Sequence, residues 1–419
     1  MFSNKPIKKT FFTLDDFLKK YDILPSLDIK KGILLDFEIG FGNRSHKILP
    51  ILQLAQIKHA DSISSIFKNA YNGTYPFKIF EDKEEIKNMI NSKKYVFLIF
   101  KTLKNKIVGC VGAKLQFKLK KGYIFGYAIK KSYQGKLDSI KTWFTSLVYL
   151  WKNYYDKIFI WTSEVRTYRK TPQMGDSFVG LKPIAFLPNK DIFNNQIESE
   201  FFTIIYNKNV LKKYRSQKIP RIIRQVLNSY NYSNIRYGLG NPIVVSPTLN
   251  LNKEKIIKLK NGAIIRTKTD KYANKIIKIL LNNSKSYFQF FYNSLNNNIE
   301  KIKYKIDNLE ELTVFLRNLK LIIINFDIRY VECYVSAYKP KHQKLFYKAE
   351  FRPRGYVPCL IYDNDNDNFK DIIIFNYYKE EINPNLKLNL IPEARRLYRC
   401  LDKNYLQKSH YCTHKTKKN

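Results

Sequence analysis

The chain has 419 residues, 44% hydrophobic and 15% aromatic, which excludes a disordered protein and allows two or three domains with proper cores. Its 75 Lys and Arg against 35 Asp and Glu give a formal net charge of +40, which points to acidic partners. No apolar run reaches the roughly 20 residues that span a bilayer. The first residues (MFSNKPIKK) lack a signal-peptide core, and Cys110, Cys333, Cys359, Cys400 and Cys412 show no CxxC spacing. A cytoplasmic protein without a disulfide framework or a metal is expected.

In chain order, residues 1–46 read as an extension whose Thr13-Leu-Asp-Asp16 starts a short helix, LDDFLKKY. From Lys47 the pattern becomes regular. Ile48–Gln53 reads as a strand and His59–Tyr71 as a helix. Tyr95–Phe100 and Ile107–Phe117 read as strands about the turn LKNK. Tyr123–Ile129, aromatic and β-branched, is a further strand. A polar loop with one glycine, Gly135, follows it over Lys130–Lys136. Then Ile140, Trp143, Phe144, Leu147, Val148 and Trp151 form one apolar stripe at helical period, with Asp138 or Ser139 as cap. Ile158–Ser163 is a short strand, 170–179 a helix and Phe201–Tyr206 a last strand. This mixture predicts an α+β (mixed α/β) fold, a central mixed β-sheet flanked by helices.

The second half repeats the first. Gly180-Leu-Lys-Pro-Ile-Ala-Phe-Leu-Pro188 is echoed 170 residues later by Glu350-Phe-Arg-Pro-Arg-Gly-Tyr-Val-Pro358. The same offset pairs Tyr168 with Tyr338, Gln173 with Gln343, and Phe201–Tyr206 with Asp371–Asn376. Such a run is the signature of duplication. The helix before it recurs near Leu309–Leu319. The offset puts Tyr133–Lys136 onto Lys303–Ile306, which has no glycine, and 273–305 reads as an Asn-rich helix. The expected domains are therefore an extension (1–46), a first domain (47–207), a basic linker (208–245), a degenerate second domain (246–400) and a basic tail (401–419).

The strand, the loop YAIKKSYQGKLDS, the helix and the later Gly180-Leu181 pair resemble the GNAT acyl-CoA N-acyltransferase superfamily over roughly 47–207, and EFRPRGYVP resembles the same closing segment. The resemblance implies a V-shaped gap between the strands on either side of the loop, with one acetyl-CoA or other acyl-CoA bound there. Ala128, Ile129 and Lys130 would end the binding strand. Tyr133, Gln134 and Gly135 would form the turn, and Lys136, Leu137, Asp138 and Ser139 would lead into the helix. Helix-terminal amides and the helix dipole favour a pyrophosphate at such a place. Leu137 and Ser139 stand where the family usually has glycines, and Asp176 stands where it often has a tyrosine acid. The resemblance also implies attack by a neutral amine on a thioester carbonyl, which calls for a base and an acid. Glu164 is the candidate base, and Tyr168 and Asp176 are candidate acids.

The other signals are weaker. Asp363-Asn-Asp-Asn-Asp-Asn368 has alternating oxygen ligands but no glycine at its sixth position, so a polar hairpin turn is expected. His410-Tyr-Cys-Thr-His414 lies in the basic tail. Lys212–Tyr237 is basic and aromatic, and either contacts RNA or is a solvated linker. Two functions remain open: an acyl-CoA-dependent N-acyltransferase acting on an amine, and a non-catalytic protein on a degenerate acyltransferase scaffold that contacts nucleic acid or another acidic partner.

Overall fold

The computed structural model describes residues 12–20, 29–37, 47–378 and 388–401, and the side chains of 20 and 301 are outside that description. His410 and His414, with the basic tail beyond 401, lie outside it as well.

The first half runs α1 (Leu14–Lys20), β1 (Ile33–Leu34), β2 (Ile51–Leu54), α2 (Ala60–Tyr71), α3 (Lys83–Asn91), β3 (Tyr95–Lys101), β4 (Ile107–Gln116) and β5 (Lys121–Ile129). It continues with α4 (Ser139–Asn153), β6 (Ile160–Arg166), α5 (Lys170–Phe178), β7 (Lys182–Phe193) and β8 (Gln196–Tyr206). The strands read as continuous apolar runs because both faces are covered. In β3, Leu98 and Phe100 pack in the core under α1 and α4, while Phe97 and Ile99 pack under α2 and α3. Helix α4 buries Phe144, Leu147, Val148 and Trp151, the predicted stripe, and Asp138 caps it by accepting the Lys141 amide at 3.2 Å.

The second half runs β9 (Arg221–Ile223), α6 (Leu227–Tyr237), β10 (Ile243–Val245), α7 (Lys253–Asn261), β11 (Ala263–Thr269), β12 (Lys275–Leu281), β13 (Tyr287–Asn293) and β14 (Asn298–Lys305). Then come α8 (Leu309–Asn325), β15 (Tyr330–Ser336), α9 (Pro340–Lys348), β16 (Arg352–Asp363) and β17 (Asn368–Tyr378). A further helical segment, 392–401, packs Ala394, Leu397 and Leu401 against Val165, Phe186 and Phe201 of the first half.

One 15-stranded mixed sheet holds both halves, in the order β1-β2-β3-β4-β5-β6-β8-β7-β16-β17-β15-β14-β13-β12-β11. From β2 to β7 and from β11 to β16 the two halves pass through the same strand order. They meet where β7 pairs antiparallel with β16 at Ala185↔Gly355. Those positions are 170 residues apart, so a local two-fold axis passes between them. Both strands carry the same bulge, with a left-handed residue at Asn189 (φ 51°) and Cys359 (φ 57°).

Three expectations need correction. Residues 273–305 are not an Asn-rich helix; they form β12, β13 and β14. The offset of 170 does not hold to the end. Pro183 faces Thr203 and Pro353 faces Phe375, so β17 follows β8 by 172. The two extra residues lie in the hairpin turn, two residues long at Asn194-Asn195 and four at 364–367. Residues 208–245 are not merely a solvated linker: Ile222, Ile223, Val226, Tyr230 and Leu239 enter the core of the second half. The polar turn at Asp363–Asn368 joins β16 to β17, with Asp363 ion-paired to Lys370 at 2.5 Å.

Candidate active site

Strands β5 and β6 run parallel and pair only over Lys121–Ile124 and Ile160–Ser163. Beyond Ile124 they part, which leaves the β6-facing edge of 125–129 opposite 164–166. The divergence begins at a bulge in β5, where Gly126 and Tyr127 stand opposite the single Val111 of β4 and Gly126 adopts φ 62°. A Cβ at Gly126 would meet the Phe67 ring at 2.6 Å, so only glycine lets α2 close over this bend. This is the gap that the resemblance implies. Tyr123 and Ile124 lie before the parting and are paired with β6.

On the α4 side, Trp143 rather than Leu137 reaches the gap. Its ring makes an edge contact with Tyr127, centroids 5.3 Å apart, and lies against Gly175 of α5. Its buried indole Nε1 has no hydrogen-bond acceptor. Leu137, 2% exposed, turns into the core.

The loop is held tightly. The amides of Tyr133, Gln134, Lys136, Leu137, Asp138 and Ser139 each donate to a main-chain carbonyl, that of Asp138 to Ile48 across a short β-bridge. The Lys130 amide bonds Val108, and the Gln134 side chain donates to the Ile129 carbonyl at 2.9 Å. Ala128 is tied to Cys110 within the sheet. Gly135 (φ 75°) has open space where a Cβ would stand. Lys131 and Lys136 are exposed beside it, Lys130 is half-buried, and Lys47 donates to the Gly135 carbonyl. The second half has no such loop. By its pairing, β14 matches β5 at an offset of 177, and only Ile306 and Asp307 separate it from the Asn308 cap of α8. The segment set against the loop by the earlier offset, Lys303–Ile306, is mostly strand.

Glu164 stands at the point of divergence on the α2 face of the sheet. It accepts from Tyr123 Oη at 2.9 Å and from Lys190 Nζ at 2.5 Å. Lys190 is 1% exposed and also lies 3.6 Å from Glu332 of the second half. Burial pulls this ammonium down, but Glu164, Glu332 and their neighbours hold it well above its ordinary value. Burial raises the Glu332 carboxyl to about 7 and the Asp191 carboxyl to about 8, with nearby carboxylates adding to both. Asn296 and Asn298 bond Asp191 Oδ1, and Arg329 donates to the Lys190 carbonyl. The second half therefore closes this network from behind.

The three predicted catalytic residues do not converge. Ser163 and Glu164 point to opposite faces of β6, and Asp176 is on the Ser163 side. It is 4% exposed and accepts from Ser163 and Thr203, both at 2.8 Å. Burial raises its carboxyl to about 7. Tyr168, 42% exposed, lies beyond the end of β6. Tyr123, Lys190 and Glu332 were missed. The available signal was a charged pair, Lys190-Asp191, toward the end of a mostly apolar strand.

No protein-family profile matches the chain, and no curated protein matches it. Solved structures do. A mutant of the spermidine N-acetyltransferase of Vibrio cholerae is 13% identical, covering 38% of this chain and 95% of its own, with a TM-score of 0.33. The ribosomal-protein-S5-alanine acetyltransferase of Vibrio fischeri is 15% identical, covering 41% and 98%, with a TM-score of 0.32. A microcin C7 self-immunity acetyltransferase, in complex with acetyl-CoA and AMP, is 19% identical, covering 38% and 92%, with a TM-score of 0.30.

Proposed function

We propose that the protein is an acyl-CoA-dependent N-acyltransferase, with one cofactor site, in the first half. The divergence of β5 from β6 carries this reading. It offers an unpaired strand edge over 125–129 to a ligand with amides of its own, as a pantetheine arm has. The residues present fit such a ligand. Trp143 offers an indole N–H without an acceptor, and the open side of Gly135 meets three lysines, Lys130, Lys131 and Lys136. Six of the seven amides over 133–139 are already engaged, so lysine charge rather than an amide cradle would hold the phosphates.

The bound cofactor would supply the activated acyl group. Glu164 at the apex would take a proton from the attacking amine, with Tyr123 and Lys190 fixing its orientation. Asp176, behind the sheet, would hold Ser163 in place.

The reading is tested by calorimetry with acetyl-CoA. Saturable binding at one site per chain is expected, weakened at least about tenfold by Gly135→Pro, because proline cannot adopt φ 75°. No binding, or binding indifferent to that change, would overturn it. The second reading, a non-catalytic binding protein, draws on the occupied amides and on the engagement of Glu164 by Lys190. It expects no acetyl-CoA binding.

A further inference from the structure

Tyr75, just beyond α2, is 7% exposed. Phe67 and Tyr71 hold its ring, with centroids 4.8 and 4.7 Å away. The hydroxyl lies 3.7 Å from where a Cβ would stand on Gly126, the bend at which β5 parts from β6. Among the described residues it has no hydrogen-bond partner, although a buried tyrosine usually finds one. Helix α2 covers the sheet face that carries Glu164, so phenol and carboxylate overlook the gap from one side.

Behind them lies a group of carboxyls that outnumber their cations. Glu164 and Arg166 share a face of β6, and Glu200 stands opposite Arg166 on β8. Glu200 is 3% exposed, and its Oε2 has no hydrogen-bond donor. Glu300, from the second half, is equally buried, with its Oε1 also bare. Arg166 is committed to Glu198 at 2.7 Å, and Lys190 to Glu164 and Glu332. Among the described residues, Asp191, Glu200 and Glu300 have no ion pair.

Such carboxyls keep their protons. Burial raises Glu200 well above its ordinary value, and Asp191 and Glu164 add to the effect. The Tyr75 phenol is likewise raised, by burial first and then by Tyr71, Asp191 and Glu200. It therefore stays protonated, within electrostatic reach of protonated acids.

We propose that Tyr75 is the proton donor of the β5–β6 site, and that Glu200 and its carboxyl neighbours, completed by Glu300 and Glu332 of the second half, return to it the proton taken up by Glu164. The inference rests on the acyl-transfer reading. As the amine nitrogen bonds the acyl carbon and the carbon–sulfur bond breaks, Glu164 takes a proton from nitrogen and Tyr75 gives one to sulfur. Glu200 then reprotonates Tyr75, and Glu164 passes its proton to the cluster, so the balance closes without an outside acid. Asp176 lies on the opposite face and Tyr168 beyond the end of β6, which leaves this position to Tyr75.

The test uses the full chain. Calorimetry with acetyl-CoA and with free CoA, at about pH 7 and about pH 9, brackets a thiol's ordinary ionisation near 8.5. Tyr75→Phe should keep acetyl-CoA affinity within about threefold at both. For free CoA, the advantage of the unaltered chain over Tyr75→Phe should grow at least about threefold toward pH 9, because the phenol donates to a thiolate. Thiol release from acetyl-CoA with hydroxylamine, an amine largely neutral at pH 7, should fall at least about 100-fold in Tyr75→Phe. Glu200→Gln should release its first thiol at the unaltered rate and slow later turnovers at least about tenfold. Any other pattern in Glu200→Gln would overturn the return path. The donor role falls if the CoA advantage is flat with pH, if Tyr75→Phe releases thiol at the unaltered rate, or if the unaltered chain binds acetyl-CoA and releases none. Absence of acetyl-CoA binding by the unaltered chain would instead remove the acyl-transfer reading, and this inference with it.

Discussion

Lys190 shows what one residue does here. Its ammonium is buried between Glu164 and Glu332, one carboxylate from each half. Lys190→Met would leave two acids buried without their cation, and breaking a buried pair in this way costs about 3–5 kcal/mol. Urea unfolding should show that loss, and adding Glu164→Gln and Glu332→Gln should restore most of it. Asp176 makes a pH prediction. Its carboxyl is raised from 3.8 to about 7 by burial. The folded state therefore holds a proton that the unfolded state releases. That stabilisation is complete below pH 3.8 and is lost as pH rises toward about 7. At about 1.36 kcal/mol per unit, the effect is bounded at roughly 4 kcal/mol. Asp176→Asn should lessen the fall in melting temperature across that window, leaving the share due to Glu332 and Asp191, and an unchanged pH profile would contradict the assignment. Glu164 could be singled out as a candidate in the sequence because it follows the predicted strand Ile158–Ser163, which the structure extends through it to Arg166. Tyr123, Lys190 and Glu332 could not, because their proximity comes from sheet register and from the second half, and neither has a local signature.

At the scale of elements, the legible ones have a single apolar face or strong local punctuation. The stripe of α4 and its Asp138 cap are an example, and the short α1 with its acidic first turn is another. The second half's strands were lost for a physical reason. In β12, Ile276, Ile277, Ile279 and Leu280 fit a helical stripe as well as they fit a strand with apolar residues on both sides. The asparagines around them looked like the body of a polar helix. Asn283 (φ 58°) and Asn297 (φ 50°) are instead left-handed residues in the turns between strands, a conformation asparagine tolerates better than most side chains. The missing loop was legible in outline, since no glycine occurs there. Its full extent required the register of β14 on β15, which places that strand an additional seven residues out of step.

At the scale of the molecule, the sheet is continuous only because β7 and β16 meet, and they meet closely. A Cβ at Gly355 would stand 2.3 Å from Ala185 Cβ and 2.6 Å from the Ile184 carbonyl oxygen. Gly355→Ala should therefore destabilise the protein by about 1–3 kcal/mol through overpacking. Chemical unfolding of the single variant and of Gly355→Ala with Ala185→Gly tests this. The pair should recover part of the loss by moving the methyl to the other side, and an undisturbed single variant would refute it. Hydrogen bonds between the halves reinforce the joint: Tyr206 to the Pro358 carbonyl at 2.8 Å, Tyr232 to the Pro183 carbonyl at 3.1 Å.

The contact at 185 and 355 also makes the two halves incompatible with copies of themselves. Across a true two-fold axis each position would face its own image. Two first halves would oppose alanine to alanine, in a space that holds one methyl group. Two second halves would oppose glycine to glycine and leave a hole. The seam closes only between unlike halves, so divergence at this one position commits each half to the other and not to its twin.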